Sequence, residues 1–171
     1  MSPLKNQFSK WSLFRAHQII NATMSIFIAT IAVLLMSYYS VTSHISLFYT
    51  WFFLFLAFLT FVSLTQLFIV LFGPGGMIFN IILLSLQLVS AGVMVPREML
   101  PLFYEKMSAV LPATYVAEGL FTIAFGGSNI FSDVLAFLII LFSVLLLAVL
   151  RISFSRIKKA DTVEKPKAAL S

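Results

Sequence analysis

The side chains able to do chemistry are few and widely separated. There are two histidines, His17 and His44, six carboxylates and no cysteine. If the apolar run between the histidines crosses a bilayer, they stand roughly 30 Å apart and cannot share a metal ion or a proton-transfer task. No His-Glu-x-x-His sequence and no paired carboxylates occur, and without cysteine there is neither a disulfide nor a thiolate metal site. Gly73-Pro74-Gly75-Gly76 is glycine-rich but lacks the Gly-Lys-Ser/Thr and the preceding strand of a phosphate-cradling loop. Proline has no amide donor and glycine favours turns, so these four residues are expected to form a hinge or tight turn. This inventory argues against an enzyme and calls for no cofactor.

What remains is a set of polar side chains stranded in apolar surroundings. Thr60, Ser63 and Gln66 are three residues apart and share one helical face, while Asn80 and Gln87, seven apart, lie near one stripe. An amide in hydrocarbon needs a partner, so both faces are expected to pack against other helices, with a substrate path as the competing role. Glu118 is a functional candidate because an acid on a short helix partly within a membrane is costly, and the plain alternative is a solvated surface position. Asp133 is expected within reach of water.

These residues must be positioned by elements suited to oil. Residues 16–96 include no Asp, Glu, Lys or Arg, an interval of 81 positions that accommodates three crossings at about 20 residues each. A second charge-free run, 134–150, adds a fourth. The composition, 61% hydrophobic and 10% charged, has too little polar surface to cover a water-soluble fold. The expected architecture is all-α: membrane spans near 17–39, 47–72, 77–95 and 129–150, with an interfacial segment over 1–16 and a basic tail over 152–171, mobile beyond Lys159. Segment 47–72 holds 18 Leu, Ile, Phe and Val residues, which favour insertion by about 5–10 kcal/mol. Run 19–36 is long for a signal peptide and no clear small-residue cleavage site follows it, so the first helix is expected to stay.

Between the third and fourth spans, 96–128 is cut by Pro96, Pro101 and Pro112 and ends at Gly126-Gly127. Its two helical pieces are too short to cross alone, so they are expected to form a bent, re-entrant hairpin covered by the other helices. The net charge of +5 is concentrated at the two ends: Lys5, Lys10 and Arg15 precede the first span, and Arg151, Arg156, Lys158, Lys159, Lys165 and Lys167 follow the last. That distribution suits anionic lipid rather than nucleic acid, and with four crossings it places both termini in the cytoplasm.

The order of these parts resembles the C-terminal membrane half of ABC-type-2 exporter permeases, and within them the phage-infection-protein-like branch. The matching residues are Gln87 to Gly92; Pro96, Glu98 and Pro101 in Pro-x-Glu-Met-Leu-Pro; Pro112, Thr114 and Tyr115 in Leu-Pro-x-Thr-Tyr; and Gly126-Gly127. Where that family's hairpin often carries a basic residue, this chain has Phe121. The resemblance implies six spans per subunit, of which this chain would supply the third to sixth, in a bacterial cell membrane. It further implies a homo- or hetero-oligomer with another permease chain, export of an amphiphilic or hydrophobic substrate, and energy from a separate ABC ATPase. The alternative is an envelope scaffold or secretion-system component of the same branch that does not pump.

Overall fold

Three helical runs are long and apolar enough to cross a membrane, Phe14–Tyr38, Leu47–Ser90 and Phe131–Ser153, and a bent helix pair adds a fourth if counted as one span. The computed structural model describes residues 10–39, 45–93, 99–127 and 130–168. The order is α1 (Lys10–Tyr38), α2 (Leu47–Phe72), a 3₁₀ turn (Gly73–Gly75), α3 (Gly76–Ser90), α4 (Leu102–Ser108), α5 (Pro112–Phe125) and α6 (Phe131–Ala168). His44, Pro96 and Glu98 lie outside the described residues.

In lipid a helix must satisfy its own polar groups, and its hydroxyls do the same. Thr23, Thr30, Ser85 and Ser143 face outward, and each donates to the carbonyl four residues earlier (Ile19, Ile26, Ile81 and Ile139) at 2.8–3.0 Å. Each polar group is thus paired within its own helix while the outer surface stays apolar. Ile19, Phe27 and Leu34 on α1, Ile78 and Leu84 on α3, and Phe142 on α6 are all more than half exposed. An apolar belt of that kind needs lipid or a partner chain as its solvent.

The 44-residue run from Leu47 to Ser90 would be about 66 Å long if straight, twice the hydrocarbon core. It is folded on itself instead. Phe79 stacks on Phe68 and Phe72 with centroids 6.1 and 4.3 Å apart, and Asn80 Nδ2 donates to Thr65 O at 3.2 Å. Residues 11 and 15 apart meet this way only if the chain reverses between them. Gly73 makes the reversal, with φ 62° and its N–H donating to Ile69 O. Gly76 allows the closest approach: a Cβ there would lie 2.3 Å from Phe68 O.

α1 and α6 both pack along α2. Phe14, near the start of α1, meets Leu67 of α2 and Val144 and Ala148 of α6, so the beginning of α1 and the far end of the last span share one end of the bundle. The opposite end holds the larger core, in which Ala29, Phe53, Ala57, Ile123 and Phe137 draw together α1, α2, α5 and α6.

Three boundaries differ from the sequence expectation. The third helix stops at Ser90 rather than about 95, because the chain turns at Ala91 and Gly92 takes φ 74°. At 15 residues it rises only about 22 Å. α1 starts at Lys10, seven residues before the expected span, and α6 is helical through Ala168, beyond the expected end of the last span near 150. Lys, Glu and Ala in these flanks are good helix formers, while Pro166 near the end of α6 takes one hydrogen bond from its last turns.

The reversal yields a paired test. Gly76→Val should lower the stability of the detergent-solubilised protein by about 1–3 kcal/mol, because the obstacle is backbone that cannot rotate aside. Gly75→Ala, whose Cβ meets nothing within 4 Å, should be neutral or slightly stabilising. Thermal melting of the two variants checks this, and equal losses would reject the close-approach account.

Candidate functional site

Two places gather polar side chains, one at each end of the bundle. The first is the bent pair α4 and α5, whose axes turn by 72° at a break of three residues. Pro101 caps α4, its carbonyl accepting from the N–H groups of Tyr104 and Glu105 at 2.8 and 3.2 Å. Pro112 begins α5, where its missing N–H costs nothing, and its side chain is buried. Tyr115 closes the bend by donating its hydroxyl to Ala109 O at 2.6 Å, and its ring meets Phe137 edge-on. Thr114, 1% exposed, donates to Ser90 O at 3.4 Å and so fastens the start of α5 to the end of α3. Gly126, at φ 74°, donates its N–H to Thr122 O and ends the helix, and Gly127 follows at φ 148°. The Leu-Pro-x-Thr-Tyr and Gly-Gly residues thus shape and anchor the bend.

Gly119 is the contact that sequence reasoning passed over. Its missing side chain makes room for the Phe53 ring of α2, and a Cβ would lie 2.1 Å from Phe53 Cζ. Phe53 is 1% exposed and packs against Phe137, centroids 5.4 Å apart. A glycine inside an apolar helix was the available signal, since it costs about 1 kcal/mol against alanine unless packing repays it. Glu118 lies on the other side of α5, exposed with Phe121 and Phe125, whose rings stack at 6.0 Å. Asp133 departs from expectation: it is 7% exposed rather than solvated. It sits in the first turn of α6, where a carboxylate is favoured by the positive end of the helix dipole.

Gln66, Asn80 and Gln87 do not converge with Glu118. Gln66 accepts from Gln18 Nε2 at 3.2 Å and from Asn21 Nδ2, bonding α2 to α1. Asn80 joins α3 to α2, and Gln87 is 5% exposed. Among the described residues, Gln87 Oε1, Asn80 Oδ1 and the hydroxyls of Ser25, Ser63 and Ser90 are buried without a hydrogen-bond partner. Thr60 donates to Leu56 O within its own helix.

The second place is a cavity of about 850 Å³ at the end of the bundle where α1 begins and the last span finishes. Phe14, His17 and Asn21 of α1, Gln66 and Phe72 of α2 and Arg151 of α6 are among its walls. Gln18 and Asn21, two amides early in the first apolar run, were the overlooked sequence signal for it. Among the described residues no group of three or more His, Asp or Glu side chains is placed to hold a metal ion.

The family model described as ABC-2 type transporter matches residues 2–125. The chain belongs to this family. It is a multi-pass membrane protein, and an ABC-2 permease membrane domain is non-catalytic and typically works with an ATPase. The match reaches Phe125, the last residue of α5, so the permease family's region takes in the reversal and the bent pair. No curated protein and no solved structure matches the sequence.

For this permease the Phe53–Gly119 contact predicts coupling. Gly119→Ala should destabilise the protein by about 1–3 kcal/mol, and Phe53→Leu in the same chain should recover part of that loss. Additive effects in a double-mutant cycle would show that the two residues do not depend on each other.

Proposed function

We propose that this chain is the membrane-spanning subunit or half-subunit of an ABC-2 exporter that moves an amphiphilic or hydrophobic substrate using a separate ATPase. The family match over residues 2–125 carries the reading. The helix reversal at Gly73–Gly75 is compatible with it, because the most glycine-rich stretch is spent on a turn rather than on cradling a phosphate. The order of motifs from Gln87 to Gly127 is the support for the finer placement, as the third to sixth spans of a phage-infection-protein-like permease. A companion permease chain, identical or different, then completes the path.

The end of the bundle bearing the cavity is assigned to the cytoplasm. Its support is the basic excess before α1 and after the last span, since Lys and Arg in short flanking segments stay on that side. The locale is a bacterial cell membrane with both termini inside. Glu118, on the exposed Phe121–Phe125 stripe of α5, is assigned a part in transport, and Gln66, Asn80 and Gln87 hold the helices in register.

Affinity purification in mild detergent should recover an ATPase or a companion membrane chain with this protein. Repeated recovery of the chain alone would favour the non-pumping scaffold. Ser155→Cys, in a chain with no other cysteine, should resist a membrane-impermeant thiol reagent in intact cells, and labelling from outside would reverse the orientation. Glu118→Gln should reduce export at unchanged membrane abundance, whereas normal export would remove Glu118 from the mechanism.

A further inference from the structure

We propose that the cavity between the start of α1, the end of α2 and the end of the last span is a binding site for the acidic headgroup of an amphiphile. The inference rests on the exporter reading and names the substrate class that this site would take. Its size, about 850 Å³, is that of a small-molecule pocket. Its walls divide by chemistry. Phe14 and Phe72 offer aromatic surface for an alkyl chain, and Arg151, His17, Asn21 and Gln66 supply the polar groups.

Charge selects the sign of the headgroup. Arg151 brings a guanidinium to the cavity and, among the described residues, no carboxylate lines it, so the charge on its walls is positive. Glu105, Glu118 and Asp133 belong to α4, α5 and the first turn of α6, away from this end, while Asp161 and Glu164 on the last part of α6 are outnumbered there by Arg156, Lys158, Lys159, Lys165 and Lys167. Arg151 directly follows the charge-free run 134–150, which sets its guanidinium at headgroup depth. Gln66 accepts from both Gln18 and Asn21 at a single oxygen, so its amide nitrogen keeps two hydrogens to donate. A guanidinium fork and an amide donor lining one cavity match a carboxylate or phosphate. A cationic amphiphile would be repelled, and a neutral one would leave the guanidinium unused.

The test uses the full chain in phosphatidylcholine nanodiscs, titrated with dansyl-undecanoic acid, whose emission rises on leaving water. Saturable binding above that of empty discs is expected, displaced by dodecyl phosphate but by neither dodecyl maltoside nor inorganic phosphate. Arg151→Gln should weaken binding about tenfold, as expected for losing a charge-assisted hydrogen bond. Arg151→Lys should retain part of the affinity, and Lys106→Gln, the same charge loss on α4, should change nothing. Repeating the titration in discs of equal phosphatidylcholine and phosphatidylglycerol separates two sources of the same chemistry. Undiminished binding assigns the site to a cargo, and suppression assigns it to the bilayer's own anionic lipid.

Equal displacement by dodecyl maltoside, or wild-type affinity in Arg151→Gln, overturns the proposal, and the displacement series needs no variant to fold. Because no ATPase is present, failure here with an ATPase still recovered by purification would reject the headgroup site and leave the exporter reading standing.

Discussion

A backbone amide or carbonyl left unpaired in hydrocarbon costs several kcal/mol, and the helix ends among the described residues answer that constraint. The helices satisfy themselves, including the outward hydroxyls that bond the carbonyl one turn back. Where the helical ladder must stop, some other group takes over. At the reversal, the Gly73 N–H returns to Ile69 O. At the bend between α4 and α5, the N–H groups of Val110 and Leu111 reach Met107 O, and the Tyr115 hydroxyl covers Ala109 O. At the end of α3, Thr114 reaches Ser90 O.

Close approach of helices is the second half of the same solution. Lipid tails are as apolar as leucine, so helices associate through fit rather than through exclusion from water. Two close fits involve glycine: Gly76 lets α3 start against the α2 backbone, and Gly119 admits the Phe53 ring. Phe53 then links the bent pair to α6 through Phe137. One aromatic ring therefore joins three elements, and the bent pair is held by shape as well as by polar contacts.

The two ends of the bundle differ in consequence. One is a filled core under a bent helix pair, and the other is an open cavity with Arg151 in its wall, at the level where a span gives way to basic residues. That polarity fits a protein that receives something at one surface and controls its passage near the other.

Much of this architecture was already legible in residue order. Absence of charge over residues 16–96 dictates membrane residence, because no soluble fold can hide that much apolar surface, and the prolines at 101 and 112 dictate a broken segment, because helices cannot run through them unchanged. Element lengths follow from such local rules. Partners do not. Asp133 reads as a boundary acid and is buried, Gln66 reads as one of a polar stripe and bonds to α1, and Arg151 reads as a flank and lines a cavity. Those outcomes depend on which residues, distant in the chain, are brought to one level of the bundle. That was decided by the reversal at Gly73–Gly75 and by the fit of Phe53 to Gly119, three-dimensional contacts that hydropathy does not encode.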